Sequence, residues 1–239
     1  MSESLIQGRI NSIQTLGALD GPGVRFVVFT QGCNLRCGCC HNPDTWDTEG
    51  GKIVSAKELA DKALRYREYF GEEGGVTVSG GEPLLQPEFV KEFFRFCKIS
   101  GLHTCLDTSG SILNDSVKDL LEYTDLVLLD IKYTTDELYH KYVGCSIEKP
   151  FKFLNYLNQK KIPVILRQVI IPGLNDDKES IARTSKIIEN HPCIVKSELL
   201  GFKNICKVKY DKMGLEFPFE DYQQPSKKLV EELQKKLPR

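Results

Sequence analysis

Residues 25–46 read RFVVFTQGCNLRCGCCHNPDTW. Residues 25–30 are mostly apolar and lack the alternation of a half-buried strand, so they predict a strand covered on both faces. The run passes through Gln31-Gly32 into Cys33, Cys37 and Cys40, with three residues in the first gap and two in the second. Five further runs resemble it: 75–79 (GVTVS), 103–107 (HTCLD), 126–131 (LVLLDI), 163–171 (PVILRQVII) and 194–200 (IVKSELL).

Helical patterns lie between these runs, at 55–69, 87–100, 114–123, 149–160 and 176–190, and 226–237 closes the chain. Ser55 stands three residues before Glu58, a capping-box spacing. Pro87 suits a first helical turn. Strand and helix alternating in this way predict a parallel α/β fold. Polar or glycine-rich residues follow nearly every run: Gln31-Gly32-Cys33, Gly80-Gly81-Glu82, Thr108-Ser109-Gly110, Lys132, Pro172-Gly173 and Phe202-Lys203. A doubly wound sheet uses only the loops near its switch point, whereas a barrel gathers all of them at one mouth. The expected fold is therefore an incomplete, splayed (β/α)6 barrel of the TIM type. Its strands are parallel, its helices lie outside, and its lateral opening suits a large substrate.

The 239 residues suggest a single domain over 1–239, with a core at about 20–203 and a C-terminal extension at 204–239. Hydrophobic content is 41% and charged content 27%, both ordinary for a globular chain. A net charge of −1 gives no electrostatic case for nucleic acid or an anionic membrane. No apolar run approaches bilayer-spanning length. The opening MSESLIQGRINS lacks a basic segment followed by an apolar one, so no secretory signal is expected, and the location is the cytoplasm. Nine cysteines in such a chain point to reduced thiols and a metal site rather than disulfides. Cys39, Cys97, Cys105, Cys145, Cys193 and Cys206 show no ligand spacing and read mostly as small buried residues.

Three thiolates within eight residues can hold one face of a cubane cluster. A [4Fe–4S] cluster normally takes four cysteines, so one iron is left open. An open position marks a metal that does chemistry. The competing zinc reading uses Cys33, Cys37 and Cys40 with His41 or Cys39. Structural zinc usually takes two separated knuckles, and a second CxxC is missing. A second signal is Ser79-Gly80-Gly81-Glu82. Two glycines let backbone approach a ligand closely, and the Glu82 carboxylate can accept hydrogen bonds from an ammonium group.

Together these motifs resemble the radical S-adenosylmethionine superfamily. More narrowly, 20–46 (DGPGVRFVVFTQGCNLRCGCCHNPDTW), TVSGGEPLLQ, HTCLDTSG, TDLVLLDIK and IIPGLND resemble the glycyl-radical-enzyme activating enzymes, from about Gly8 to Leu200. Many of those relatives carry a cysteine-rich, ferredoxin-like insert. This chain has none, which implies the compact type that acts on pyruvate formate-lyase (formate C-acetyltransferase).

The resemblance implies a [4Fe–4S] cluster on Cys33, Cys37 and Cys40, with S-adenosylmethionine chelating the open iron. One electron cleaves the sulfonium, and a 5′-deoxyadenosyl radical takes hydrogen from a glycine of the partner. No catalytic side chain beyond cluster and cofactor is implied. Cys39, Cys40 and His41 would line the adenine side, and Gly80, Gly81 and Glu82 the methionyl end. Asp130, Ile131 and Lys132 would meet the ribose and carboxylate, with Arg167 and Lys203 as further contacts. Arg167, inside an apolar run, requires a carboxylate partner. Asp107, Thr108 and Asp130 resemble a monovalent-cation site, and Asp20 the residue that meets the glycine-bearing peptide. A flavodoxin or ferredoxin would supply electrons, and the family form is a monomer. Two departures stand out. Cys39 takes the place of an aromatic residue, and LGFK (200–203) replaces LPYH, so Lys203, a mobile point charge, stands where a planar histidine contacts the cofactor. Two other readings are an activase of a different glycyl-radical enzyme and a non-enzymatic iron–sulfur or zinc module.

Overall fold

The computed structural model describes residues 6–238. Residues 1–5, the start of the segment read for a secretory signal, and residue 239 lie outside them. The strands are β1 (Gln7–Gly17), β2 (Arg25–Thr30), β3 (Lys52–Ser55), β4 (Gly75–Gly80), β5 (His103–Thr108), β6 (Leu126–Asp130), β7 (Val164–Ile170) and β8 (Ile194–Gly201). The helices are α1 (Ala56–Leu64), α2 (Pro87–Ile99), α3 (Asp115–Leu121), α4 (Asp136–Tyr142), α5 (Glu148–Lys160), α6 (Lys178–Asn190), α7 (Lys207–Met213) and α8 (Lys227–Gln234). Among the described residues, no helix is long and apolar enough to cross a membrane.

The strand order is β3-β1-β2-β4-β5-β6-β7-β8, with two free ends, as an incomplete barrel requires. β2 pairs in parallel with β4, β4 with β5, and β7 with β8. All six expected strands are present. Two more were not anticipated: β1 runs antiparallel to both β2 and β3. Its sequence, QGRINSIQTLG, buries only Gly8, Ile10 and Gly17, so it carries no apolar run to read. The expected helix at 55–69 also divides. α1 stops at Leu64, and a tight turn at Arg67–Tyr69 follows.

The chain forms two compact units. The first ends at Asn34 and resumes over Thr45–Thr108 and Ile112–Leu128. In it, Phe26, Val27 and Val28 of β2 have no exposed surface, the burial on both faces that their composition predicts. α2 adds Phe89, Val90, Phe93, Phe94 and Cys97 from one buried stripe. β1 meets α2 at Gly8, where any Cβ would lie 2.3 Å from the Phe89 ring. α1 begins with a complete capping box: the Ser55 hydroxyl accepts from the Glu58 amide, and the Glu58 carboxylate accepts from the Ser55 amide. Such a cap contributes about 1 kcal/mol.

The second unit holds Leu35–Asp44, Ser109–Ser111 and the described chain from Leu129 onward. Ile170, Ile181, Leu199 and Leu233 form one of its apolar clusters, which α8 covers with Leu229 and Val230. β8 ends the strand order, and its exposed backbone needs partners. The Gln234 side chain supplies them, accepting from the Leu199 amide at 2.7 Å and donating to the Ser197 carbonyl at 3.1 Å.

Candidate radical cofactor site

In the first unit, β2 delivers the chain to Cys33 through Gly32. Gly32 has a φ of +95°, a conformation that favours glycine. Its amide donates to the Thr45 carbonyl at 2.8 Å, and its carbonyl accepts from the Glu82 amide at 2.8 Å. The Gly81 amide donates to the Thr30 carbonyl at 3.0 Å. A Cβ on Gly81 would stand 2.1 Å from the Gly32 carbonyl oxygen, so no other residue fits that crossing. The GGE turn is thus laced to the approach to Cys33 by backbone alone.

Glu82 is buried, and its carboxylate is engaged. Oε1 accepts from the Leu84 amide at 3.1 Å and the Thr108 hydroxyl at 2.6 Å, capping the turn at Pro83–Leu85. The Ser79 hydroxyl donates to Asp107 Oδ2 at 2.7 Å. Asp20 lies at the opposite end of β4, where its carbonyl accepts from the Thr77 hydroxyl at 2.7 Å. Arg25, wholly buried, donates to that same hydroxyl through Nε at 3.0 Å and steadies the DGPG turn.

In the second unit, the loop carrying Cys37 and Cys40 is tied down along its length. The Arg36 amide donates to the Val143 carbonyl at 3.2 Å, and the Gly38 amide to the Tyr142 carbonyl at 2.8 Å. Cys40 Sγ accepts from the Asn42 amide at 3.4 Å. His41 Nε2 lies 3.0 Å from the Lys203 carbonyl. A carbonyl only accepts, so Nε2 carries the proton and Nδ1 is left as an acceptor. Burial lowers the His41 pKa against the raising pull of that carbonyl, keeping the ring neutral. The Lys203 side chain is exposed.

Asp130, at the end of β6, stands between two cations. Oδ1 accepts from Arg167 Nε at 3.1 Å, and Oδ2 from Lys132 Nζ at 2.5 Å. Arg167 thereby has the carboxylate that its burial in β7 demands. Burial pushes the Asp130 carboxyl up, but Arg167 and Lys132 outweigh it and hold it at about 2. Lys132 is pushed down by burial and up, to a greater extent, by Asp130, Cys37 and Cys39. Cys39 is buried and raised to about 11, chiefly by burial, so it remains a neutral thiol. Ile131 is buried, and its amide donates to the Arg167 carbonyl at 3.0 Å.

Sequence reasoning missed the segment that grips this loop, residues 204–222. The Tyr210 hydroxyl donates to the Cys40 carbonyl at 3.2 Å, and Lys209 Nζ donates to Asn42 Oδ1 at 2.9 Å and Asp44 Oδ1 at 2.8 Å. Phe219 lies so close that a Cβ on Gly38 would meet its ring at 2.8 Å. Its ring also packs edge-on to Tyr142, with centroids 5.2 Å apart. The available signal was compositional: Tyr210, Phe217, Phe219 and Tyr222 crowd aromatic residues into an otherwise charged tail.

The residue types suit the cluster that the sequence implies: three thiols share one short loop, the Asn42 amide donates to Cys40 Sγ, and Lys132 interacts electrostatically with Cys37 and Cys39. Among the described residues, no group of three His, Cys, Asp or Glu side chains is already set to hold a metal ion. The model of the radical SAM superfamily matches residues 27–184. Pyruvate formate-lyase 1-activating enzyme of Escherichia coli is 43% identical over 227 residues, 94% of this chain and 92% of that protein. Pyruvate formate-lyase-activating enzyme of Clostridium pasteurianum is 43% identical over 234 residues, 98% of each. Among solved structures, a domain of pyruvate-formate lyase-activating enzyme from Bacteroides vulgatus aligns with a TM-score of 0.57 at 24% identity, over 69% of this chain and 92% of that one. A radical SAM methyltransferase from Sphaerobacter thermophilus aligns with a TM-score of 0.64 at 16% identity, over 89% and 63%. These two share the fold. On the sequence matches, the chain belongs to the radical SAM superfamily and, within it, to the pyruvate formate-lyase-activating enzymes.

Proposed function

We propose that this chain installs a glycyl radical on pyruvate formate-lyase, with Cys33, Cys37 and Cys40 holding the [4Fe–4S] cluster. When bound, the cluster and S-adenosylmethionine supply one-electron sulfonium cleavage and the carbon radical that takes a glycine hydrogen. The protein's own part is to bind, orient and exclude water. Gly80 and Gly81 keep side chains away from the methionyl end, and the engaged Glu82 fixes their turn. Lys132, held by Asp130, offers a positive charge beside the loaded thiolates. Arg167 sets Asp130 and Ile131 at the ribose side. The backbone of Cys39, Cys40 and His41 lines the adenine, with His41 Nδ1 as an acceptor for an amino group. Lys203 serves this contact through its carbonyl, which fixes the His41 ring. Asp107, Thr108 and Asp130 are the proposed ligands of a monovalent cation, and Asp20 meets the partner's peptide. We place the activity in a cytoplasmic monomer with one radical SAM domain, reduced by a flavodoxin or ferredoxin.

The observation that carries this reading is the near end-to-end match to relatives that activate pyruvate formate-lyase, with all three cluster cysteines in one anchored loop. The test is anaerobic reconstitution with iron and sulfide, reduction, and addition of S-adenosylmethionine. Methionine and 5′-deoxyadenosine are expected as products. A reconstituted, reduced protein that leaves S-adenosylmethionine intact contradicts the proposal.

A further inference from the structure

Among the described residues, two buried side-chain polar atoms have no hydrogen-bond partner: Gln168 Nε2 and the Tyr133 hydroxyl. Gln168 at least uses its other end, where Oε1 accepts from the Thr184 hydroxyl at 3.1 Å between β7 and α6. Tyr133 has only its hydroxyl and is 1% exposed. Burying such a group unpaired forfeits its hydration without compensation, and phenylalanine would fill the same space at no such cost.

The position of Tyr133 says what the missing partner is. It follows Lys132 directly, beyond the end of β6. Its ring packs edge-on to Tyr139, with centroids 6.4 Å apart, and lies 5.6 Å from the Tyr142 ring. The Tyr142 carbonyl holds the amide of Gly38, the residue between Cys37 and Cys39. Tyr133 is therefore packed against the anchor of the cysteine loop, within its own compact unit. Its ionisation is disfavoured by burial first, and then by electrostatic interaction with Cys39 and Cys37. At neutral pH the hydroxyl keeps its proton and can act as a donor.

We infer that the Tyr133 hydroxyl donates a hydrogen bond to the sulfur shell of the cluster, on the Cys37 side, and so raises the reduction potential. A donor aimed at cluster sulfur favours the reduced, more negative state, and such outer contacts set the potential of iron–sulfur centres. Tyr133 is thus a tuning residue, acting through the cluster rather than on substrate. The inference rests on the cluster assignment proposed above.

The test compares reconstituted wild type and Tyr133→Phe in a mediated redox titration read by electron paramagnetic resonance. At a fixed solution potential, the reduced-to-oxidised ratio of the variant's cluster is expected to fall about tenfold, a shift of about 59 mV for one electron. An unchanged midpoint overturns the inference. A second readout is the melting temperature with and without cluster. Without cluster, Tyr133→Phe is expected to leave the melting temperature unchanged or raised, because it removes an unpaired group. With cluster loaded, it is expected to lower it. A fall of equal size in both forms would mean a protein partner, and a rise in both would mean no partner; either overturns the inference. A wild type that assembles no cluster fails at the earlier step, the proposed function itself.

Discussion

At the residue scale, Asp130 shows how the second unit manages charge. Its carboxylate lies between Arg167 and Lys132 and neutralises one of two cations that the fold has brought inward. Asp130→Asn takes this carboxylate away from both, and breaking a largely buried pair costs about 3 kcal/mol. The sign with pH follows from the lowered pKa. The ordinary aspartate value is about 4. Above it, the carboxylate is ionised whether the chain is folded or unfolded, and the stabilisation is complete. As pH falls toward about 2 the folded group takes up its proton and the stabilisation is lost. Thermal melts of wild type and Asp130→Asn should differ by a constant amount above pH 4 and converge between pH 4 and 2. A gap that persists at pH 2 would contradict the ion-pair account. Positions were legible where covalent spacing carries the information: Cys33 and Gly80-Gly81 fall at or just after strand ends, and Cys37 and Cys40 follow in the same loop, as the sequence places them. They were not legible where a side chain acts through distant partners. At Glu82 the sequence shows the carboxylate but not the Leu84 amide and Thr108 hydroxyl that its Oε1 accepts from.

At the element scale, the clasp formed by residues 204–222 bonds directly to the cysteine loop. α7 brings Lys209 and Tyr210 to Asn42, Asp44 and Cys40, and Phe219 fills the space that Gly38 leaves. Aromatic contacts bind the clasp internally: Tyr210 and Phe217 centroids are 4.9 Å apart, and Phe219 and Tyr222 4.8 Å. Tyr210→Phe removes one hydrogen bond, worth about 1 kcal/mol. Phe219→Ala removes a fully buried ring, which costs about 3–5 kcal/mol. Both variants should release iron to a chelator faster than wild type, with Phe219→Ala the faster. Equal release from all three would show that the clasp does not hold the loop. The six parallel strands were legible because burial on both faces leaves unbroken apolar runs. β1 was not, because its pairing depends on β2 and β3 rather than on its own composition. α7 was not, because a short charged helix acquires its meaning from partners as distant as the 170 residues that separate Tyr210 from Cys40.

At the scale of the whole molecule, strand order and chemistry reinforce each other. In the first unit, parallel strands β2, β4 and β5 deliver Cys33, the GGE turn and Asp107-Thr108 at successive C-terminal ends, and in the second Asp130 ends β6; strand C-terminal ends are where such folds build their sites. The two antiparallel strands extend the order at one end only, beside β2, and leave that arrangement intact. The alternation of apolar runs was enough to foresee this plan; the extent of the open sheet was not, because β1 and β3 carry little apolar signal. The central claim is that this arrangement delivers a radical to a glycine of pyruvate formate-lyase. The direct measurement is the electron paramagnetic resonance spectrum of pyruvate formate-lyase after anaerobic incubation with the reduced, cluster-loaded protein and S-adenosylmethionine. The account predicts a glycyl-radical doublet that requires S-adenosylmethionine and disappears with Cys37→Ala, whose backbone fold should persist by circular dichroism. A cluster-loaded protein that yields no doublet, or a Cys37→Ala variant that yields a full one, would contradict it.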